Sequence, residues 1–271
     1  MNGKNKEIAN WLTNAIISFT ATSPGNSLHN GTGEKAWDEP LVGFSQGNDP
    51  LYQHIKNQIG DFYWTPTDVF SRTFPGSPVN PGQLSVICWV LPQTEATKKD
   101  NRKQKKYPAE RWVRSRLYGR EFNRAIRGYV VDILTKKGYQ AAAPVLLDNW
   151  EWFEHERHGY ASNWSERHAA FVSGLGTFGL CDGLITPVGK AVRIGSVVTN
   201  TPITPTQRTY THHREYCLFY KDESCIACAN RCPAGAITEN GHDKIKCRKY
   251  VHKIAKEYEK IYHLDQRACG L

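Results

Sequence analysis

Three cysteines and a proline crowd into ESCIACANRCPAG, residues 223–235, and that crowding predicts a local fold organised around metal rather than around an apolar core. An iron–sulfur cluster takes four thiolates, commonly from a C-x2-C-x2-C-x3-C-P run. Cys225, Cys228, Cys232 and Pro233 follow that run, with Asp222 standing where its first cysteine belongs. Cys217 lies upstream, and the intervening loop is long enough to return its thiolate to the same metal. The alternative is zinc, held by Cys217, Cys225, Cys228 and Cys232 with His212, His213 or His242 as substitutes. The C-P pair and the AGAIT that follows it weigh toward iron–sulfur.

The chain has 271 residues, enough for one large domain or a domain with a small module. Its eight cysteines could signal disulfides, but the opening MNGKNKEIANWLTNAIISFTA does not read as a secretion signal. Ile8, Trp11, Leu12, Ala15, Ile16 and Phe19 recur there at helical spacing, the pattern of an amphipathic core helix. No apolar run reaches the roughly 18 residues that span a bilayer. Thiols clustered at metal spacing then predict a soluble, cytoplasmic protein with no membrane partner. A net charge of +9 favours anionic partners, and much of the excess lies between Lys98 and Arg127. That basic segment reads as a loop followed by a solvated helix face, with nucleic-acid contact as the minority reading.

LSVICWV, residues 84–90, is a continuous apolar run typical of a buried central strand, which makes Cys88 a core residue. A long helix is predicted from Pro108 to near Gly138, its inner stripe carrying Phe122, Ile126, Tyr129, Val130 and Ile133. AAAPVLL and VRIGSVV read as further strands, while EPLVGFSQGNDPLYQHIKNQIG reads as a turn and a short helix. Strands mixed with helices through residue 208, then a cysteine-rich remainder, predict an α+β core at 1–208 and a metal-stabilised module at 209–271.

Gly174, Gly176 and Gly179 form a literal G-x-G-x-x-G, the dinucleotide fingerprint, but in the wrong context. Asn163 and Glu166 suggest a capping pair for a helix that ends at Gly174, so these glycines follow a helix instead of opening one. They suit a helix C-cap with a tight turn, or a flat cofactor lying against bare main chain.

SERHAAFVSGLGTFGL, then GSVVTN, then the cysteine run, occur in the order found in epoxyqueuosine reductases and the cobalamin-dependent reductive dehalogenases, which residues 80–271 resemble. The resemblance implies a nitroreductase-like, cobalamin-binding core and a C-terminal ferredoxin-like module with two 4Fe-4S clusters. Electrons would pass from a low-potential donor such as ferredoxin or flavodoxin through the clusters to cobalt, and on to a small-molecule substrate. It assigns Cys217, Cys225 and Cys228 to one cluster, with Cys232 crossing to the other. Cys247 resembles the isolated second-cluster cysteine, and Cys269 the start of a last C-x2-C run, which leaves two ligands outside this sequence and predicts incomplete clusters. The corrin would lie on Gly174, Gly176, Gly179, Gly183, Gly195 and Ser196. Tyr160 occupies the place of the epoxyqueuosine reductases' aspartate and resembles the dehalogenases' tyrosine proton donor, with Arg167 to stabilise its phenolate. That replacement leaves the substrate unassigned, a small molecule or a modified nucleoside, and makes tRNA a lesser partner. The competing reading is an electron-transfer or corrinoid-handling iron–sulfur protein with no small substrate of its own.

Overall fold

The computed structural model describes residues 2–271. In chain order its elements are α1 (Asn2–Thr22), β1 (Leu41–Gln46), α2 (Pro50–Ile59), α3 (Pro66–Thr73), β2 (Ser85–Pro92), α4 (Glu95–Arg102) and α5 (Glu110–Thr135). There follow β3 (Ala141–Ala142), the pair β4 (Trp152–His155) and β5 (Gly159–Ser162), α6 (Glu166–Val172), the pair β6 (Thr177–Phe178) and β7 (Leu184–Ile185), and β8 (Val192–Thr199). The cysteine-rich remainder holds α7 (Leu218–Asp222), α8 (Ala227–Arg231), the pair β9 (Ile237–Thr238) and β10 (Gly241–His242), and α9 (Lys244–Tyr262).

The central sheet runs β1-β2-β8-β3 with every neighbouring pair antiparallel. Every residue of β2 is buried, because helices cover both faces of the sheet. Alternation along the strand divides its side chains between two cores. Val86, Cys88 and Val90 pack with Tyr52, Phe70 and Ala169 from α2, α3 and α6. Ile87, Trp89 and Leu91 pack with Leu12 and Ile16 of α1 and with Phe122, Ile126 and Val130 of α5. Each such side chain contributes about 1.5–3 kcal/mol by burial.

Two expectations change. Part of EPLVGFSQGNDPLYQHIKNQIG is the edge strand β1, because only Gly43, Phe44 and Ser45 of that strand are fully buried and its sequence shows no apolar alternation. AAAPVLL yields only two strand residues before Pro144 begins a short 3-10 turn. The segment 244–271 packs on α5, where Val113 joins Ile254, Tyr258, Leu264 and Ala268 in a third core. Among the described residues no helix is long and apolar enough to cross a membrane.

Candidate iron–sulfur and redox site

Six cysteines sit on separate short elements of the C-terminal region. Cys217 precedes α7, Cys225 precedes α8, Cys228 lies within α8 and Cys232 caps its end. Cys247 lies in the first turn of α9, whose start is capped by Asp243 accepting from the Lys246 amide at 2.9 Å. Cys269 lies in the tail, held where Asn101 Nδ2 donates to the Gly270 carbonyl at 2.7 Å and the Ala268 amide to the Tyr258 hydroxyl at 2.8 Å. Arg231 ties α8 to the end of α4 by donating to the Arg102 carbonyl at 3.1 Å.

The thiols fall into two electrostatic groups. Burial raises the Cys228 thiol first, and the charges of Cys181 and Cys217 raise it further. Burial, then Cys269 and Cys232, pushes Cys247 up to about 11. Cys269 is likewise raised by burial and by Cys232. Cys232 lies at the end of α8, where the chain reverses at Pro233. The Ala236 amide donates to Cys232 Sγ at 3.3 Å, the type of contact that a cluster-bound sulfur accepts.

Among the described residues no three His, Cys, Asp or Glu side chains converge as ligands to one ion.

The glycines behave differently from an open platform. Gly174 (φ 82°) and Gly176 (φ 155°) lie in the region that favours glycine, but a Cβ on Gly174 would lie 3.1 Å from Thr206, and one on Gly176 would overlap the Ile185 carbonyl. A Cβ on Gly179 would meet Ile185 at 3.2 Å and one on Gly183 would meet Cys181 Sγ at 3.2 Å. On Gly195 a Cβ would run into the Trp89 ring and lie 2.7 Å from Asn123 Oδ1. Ser196 is fully buried, accepting from Trp164 Nε1 at 3.0 Å and bonded to Glu166. The missing side chains of Gly176, Gly179 and Gly195 make room for Ile185 of β7 and Trp89 of β2.

Tyr160 and Arg167 are not partners here. The Tyr160 hydroxyl donates to Glu154 Oε2 at 3.1 Å, and its ring stacks on Trp152 at 4.7 Å between centroids. Arg248 of α9 lies over both rings, at 4.6 Å from Tyr160 and 4.7 Å from Trp152. Arg167 instead donates to the Asp182 carbonyl. The Asn163–Glu166 cap is also absent: Asn163 bonds Glu151 and Asn149, while Glu166 pairs with Arg127 at 2.7 Å.

His168 contacts Ser165 Oγ through Nδ1 at 2.8 Å and lies edge-on to Tyr63. Burial first, then the charges of Arg167 and Lys244, lowers its pKa to about 3. An unfolded histidine titrates near 6.5. Below that value the unfolded chain binds a proton that the folded site refuses, so this contribution is complete above pH 6.5 and is lost as pH falls toward 3. Urea midpoints should fall more steeply between pH 6.5 and 4.5 for the parent than for His168→Gln, and parallel curves would refute the assignment.

Sequence reasoning read the arginines of α5 as a solvated face, and Arg116, Arg120 and Arg124 are exposed, while several α5 arginines also pair within the chain. Arg111 bonds Glu34 at 2.9 Å, Arg114 bonds Glu110 at 2.7 Å, and Arg120 holds Gln266 of the tail at 2.9 Å. Arg193 of β8 joins this group by donating to the Arg116 carbonyl at 2.9 Å. Its pKa is lowered to about 9 by burial, then by Arg116, Arg127 and Arg120. The Nε atoms of Arg127 and Arg193 are buried without a hydrogen-bond partner among the described residues. An arginine inside the otherwise apolar VRIGSVV was the available signal.

The mixed α/β sheet and its C-terminal cysteine region define a fold with known representatives. No protein-family model matches this chain, and no curated protein matches it. Among solved structures, epoxyqueuosine reductase from Bacillus subtilis superposes with a TM-score of 0.50 at 14% identity, over 94% of this chain and 61% of that one. A selenomethionine-labelled epoxyqueuosine reductase gives 0.51 at 16% identity, over 96% of this chain and 64% of that one. A B12-dependent reductive dehalogenase aligns at 18% identity and a TM-score of 0.47, over 85% of this chain and 28% of that one. The chain thus shares the epoxyqueuosine reductase fold and spans less than two thirds of the length of those enzymes.

Proposed function

We propose that this protein is an iron–sulfur oxidoreductase in which two four-iron clusters carry electrons to an acceptor at the junction of residues 1–208 and 209–271. The observation that carries the reading is the placement of Cys217, Cys225, Cys228 and Cys232 along α7 and α8 with Cys247 in the first turn of α9, Cys232 Sγ accepting from the Ala236 amide at 3.3 Å. One cluster would take Cys217, Cys225 and Cys228, the other Cys232, Cys247 and Cys269. Both serve one-electron transfer, and placing them on one short stretch of chain keeps the two centres close.

Cobalamin is the acceptor implied by the sequence resemblance, and it would supply a reducible cobalt centre. No step is derived through it, because Gly176, Gly179 and Gly195 are packed by the chain itself. The chain's own residues supply what a reduction needs beside electrons. Tyr160 carries a hydroxyl that can donate a proton, with Glu154 accepting from it and Arg248 beside the ring to oppose a developing phenolate charge. Arg167 holds the Asp182 turn, and Asp182 in turn faces His242 at 3.4 Å, which fixes the core against the cysteine region. The net charge of +9 suits an acidic electron donor such as a ferredoxin or flavodoxin. The substrate class is a small molecule or a modified nucleoside, and tRNA contact is less favoured because several α5 arginines pair within the chain.

A second reading, electron transfer to a partner protein, is favoured by the packing against Gly176, Gly179 and Gly195. One anaerobic experiment separates the two. The protein reconstituted with iron and sulfide should be brown and hold both elements, and a saturable absorbance change on cobalamin titration would select the cobalamin-dependent reductase. Iron and sulfide without that change selects electron transfer. Stoichiometric zinc with no sulfide removes both readings.

A further inference from the structure

One thiol outside the cysteine-rich region lies at its edge. Cys181 sits in the turn between β6 and β7, and two hydrogen bonds fasten that strand pair to the segment leading into Cys217. The Phe178 amide donates to the His213 carbonyl at 2.6 Å, and the Tyr216 amide donates to Thr177 Oγ1 at 2.9 Å. The neighbouring Asp182 faces His242 of β10 at 3.4 Å. The turn is therefore held against the cysteine region on both sides of Cys181.

We propose that Cys181 is a ligand of the cluster held by Cys217, Cys225 and Cys228, so that the core itself supplies the fourth thiolate. A cluster needs deprotonated thiols, and a fourth anion among three others needs a nearby cation. Lys190 Nζ donates to Cys181 Sγ at 3.0 Å, and its charge would offset one of the four thiolates of a bound cluster. A cluster bridging Cys181 and Cys228 would pin the β6–β7 turn to α8 and bring the metal against the core, where an electron must leave. By contrast Cys88 lies fully buried in the centre of β2, among Tyr52, Val86 and Val90, and no other thiol shares its core.

The inference rests on the iron–sulfur reading, and its test keeps the two apart. The full chain and its Cys181→Ala variant are reconstituted anaerobically, then assayed for iron, sulfide and electron paramagnetic resonance. In parallel, Cys181 of the parent is alkylated before and after reconstitution and mapped by mass spectrometry, which requires no substitution. The expected results are loss of at least one iron per chain and appearance of a three-iron signal in Cys181→Ala, and protection of parental Cys181 from alkylation only in the loaded protein. Equal iron, sulfide and spectra in the two proteins, or equal labelling of Cys181 with and without iron, overturns the ligand assignment and leaves the oxidoreductase reading standing. A parent that takes up neither iron nor sulfide overturns both.

Discussion

Gly176→Val should destabilise the whole chain by roughly 2–6 kcal/mol, and not act selectively on a bound cofactor. Two costs combine. At φ 155° the backbone occupies a region essentially restricted to glycine, and a β-branched residue held there costs on the order of 1–3 kcal/mol. The new Cβ would also overlap the Ile185 carbonyl, a backbone atom that can yield only if the β6–β7 pair separates. Overpacking of this kind adds about 1–3 kcal/mol. The measurement is the urea unfolding midpoint, with Gly189→Val as the comparison. Gly189 also has a positive φ, 91°, but nothing lies within 4 Å of its Cβ position, so it should show the backbone cost alone. If the two variants lose the same stability, the close approach to Ile185 contributes nothing.

Arg127→Ala should cost about 3–5 kcal/mol, because it strands a buried carboxylate. Arg127 and Glu166 are 8% and 16% exposed and pair at 2.7 Å, and Glu166 continues through Ser196 to Trp164. Removing the guanidinium leaves Glu166 beside Ser196 with no opposing charge, near the Cys88 thiol that burial raises first and Glu166 raises further. The informative control is the double variant Arg127→Met with Glu166→Leu, which takes both charges out and should recover much of the loss. Equilibrium unfolding of the parent, both single variants and the double variant gives the coupling directly. A double variant no more stable than Arg127→Ala would show that packing around the arginine stem, and not the stranded charge, accounts for the effect.

The parts of the fold that could be read along the chain are those whose signal is local. LSVICWV announced a strand buried on both faces, and the stripe Phe122, Ile126, Val130 announced the inner face of α5. The edge strand β1 gave no such signal, since Gly43 is there to let the Ser173 carbonyl and Leu175 approach, a reason visible only when α6 is in place. The β4–β5 hairpin was equally silent, and with it the stack of Trp152, Tyr160 and Arg248, which draws on two elements almost ninety residues apart in sequence. The cap assigned to Asn163 and Glu166 had the right residue types at the right spacing, but tertiary partners took both side chains.

The amino-acid sequence by itself determined the kinds of ligand available and the order in which they arrive, because a thiol run with proline behind it limits the chemistry wherever the chain goes. It also determined which segments must be buried, because hydrophobic periodicity is a property of neighbouring residues. Tertiary structure alone decided that Arg248 of α9 lies over the Trp152 and Tyr160 rings of the β4–β5 hairpin. It alone decided that Gly176 and Gly195 make room for Ile185 and Trp89. Both outcomes depend on residues brought together from distant parts of the chain, where electrostatics and excluded volume act through space and leave no periodic trace in the sequence.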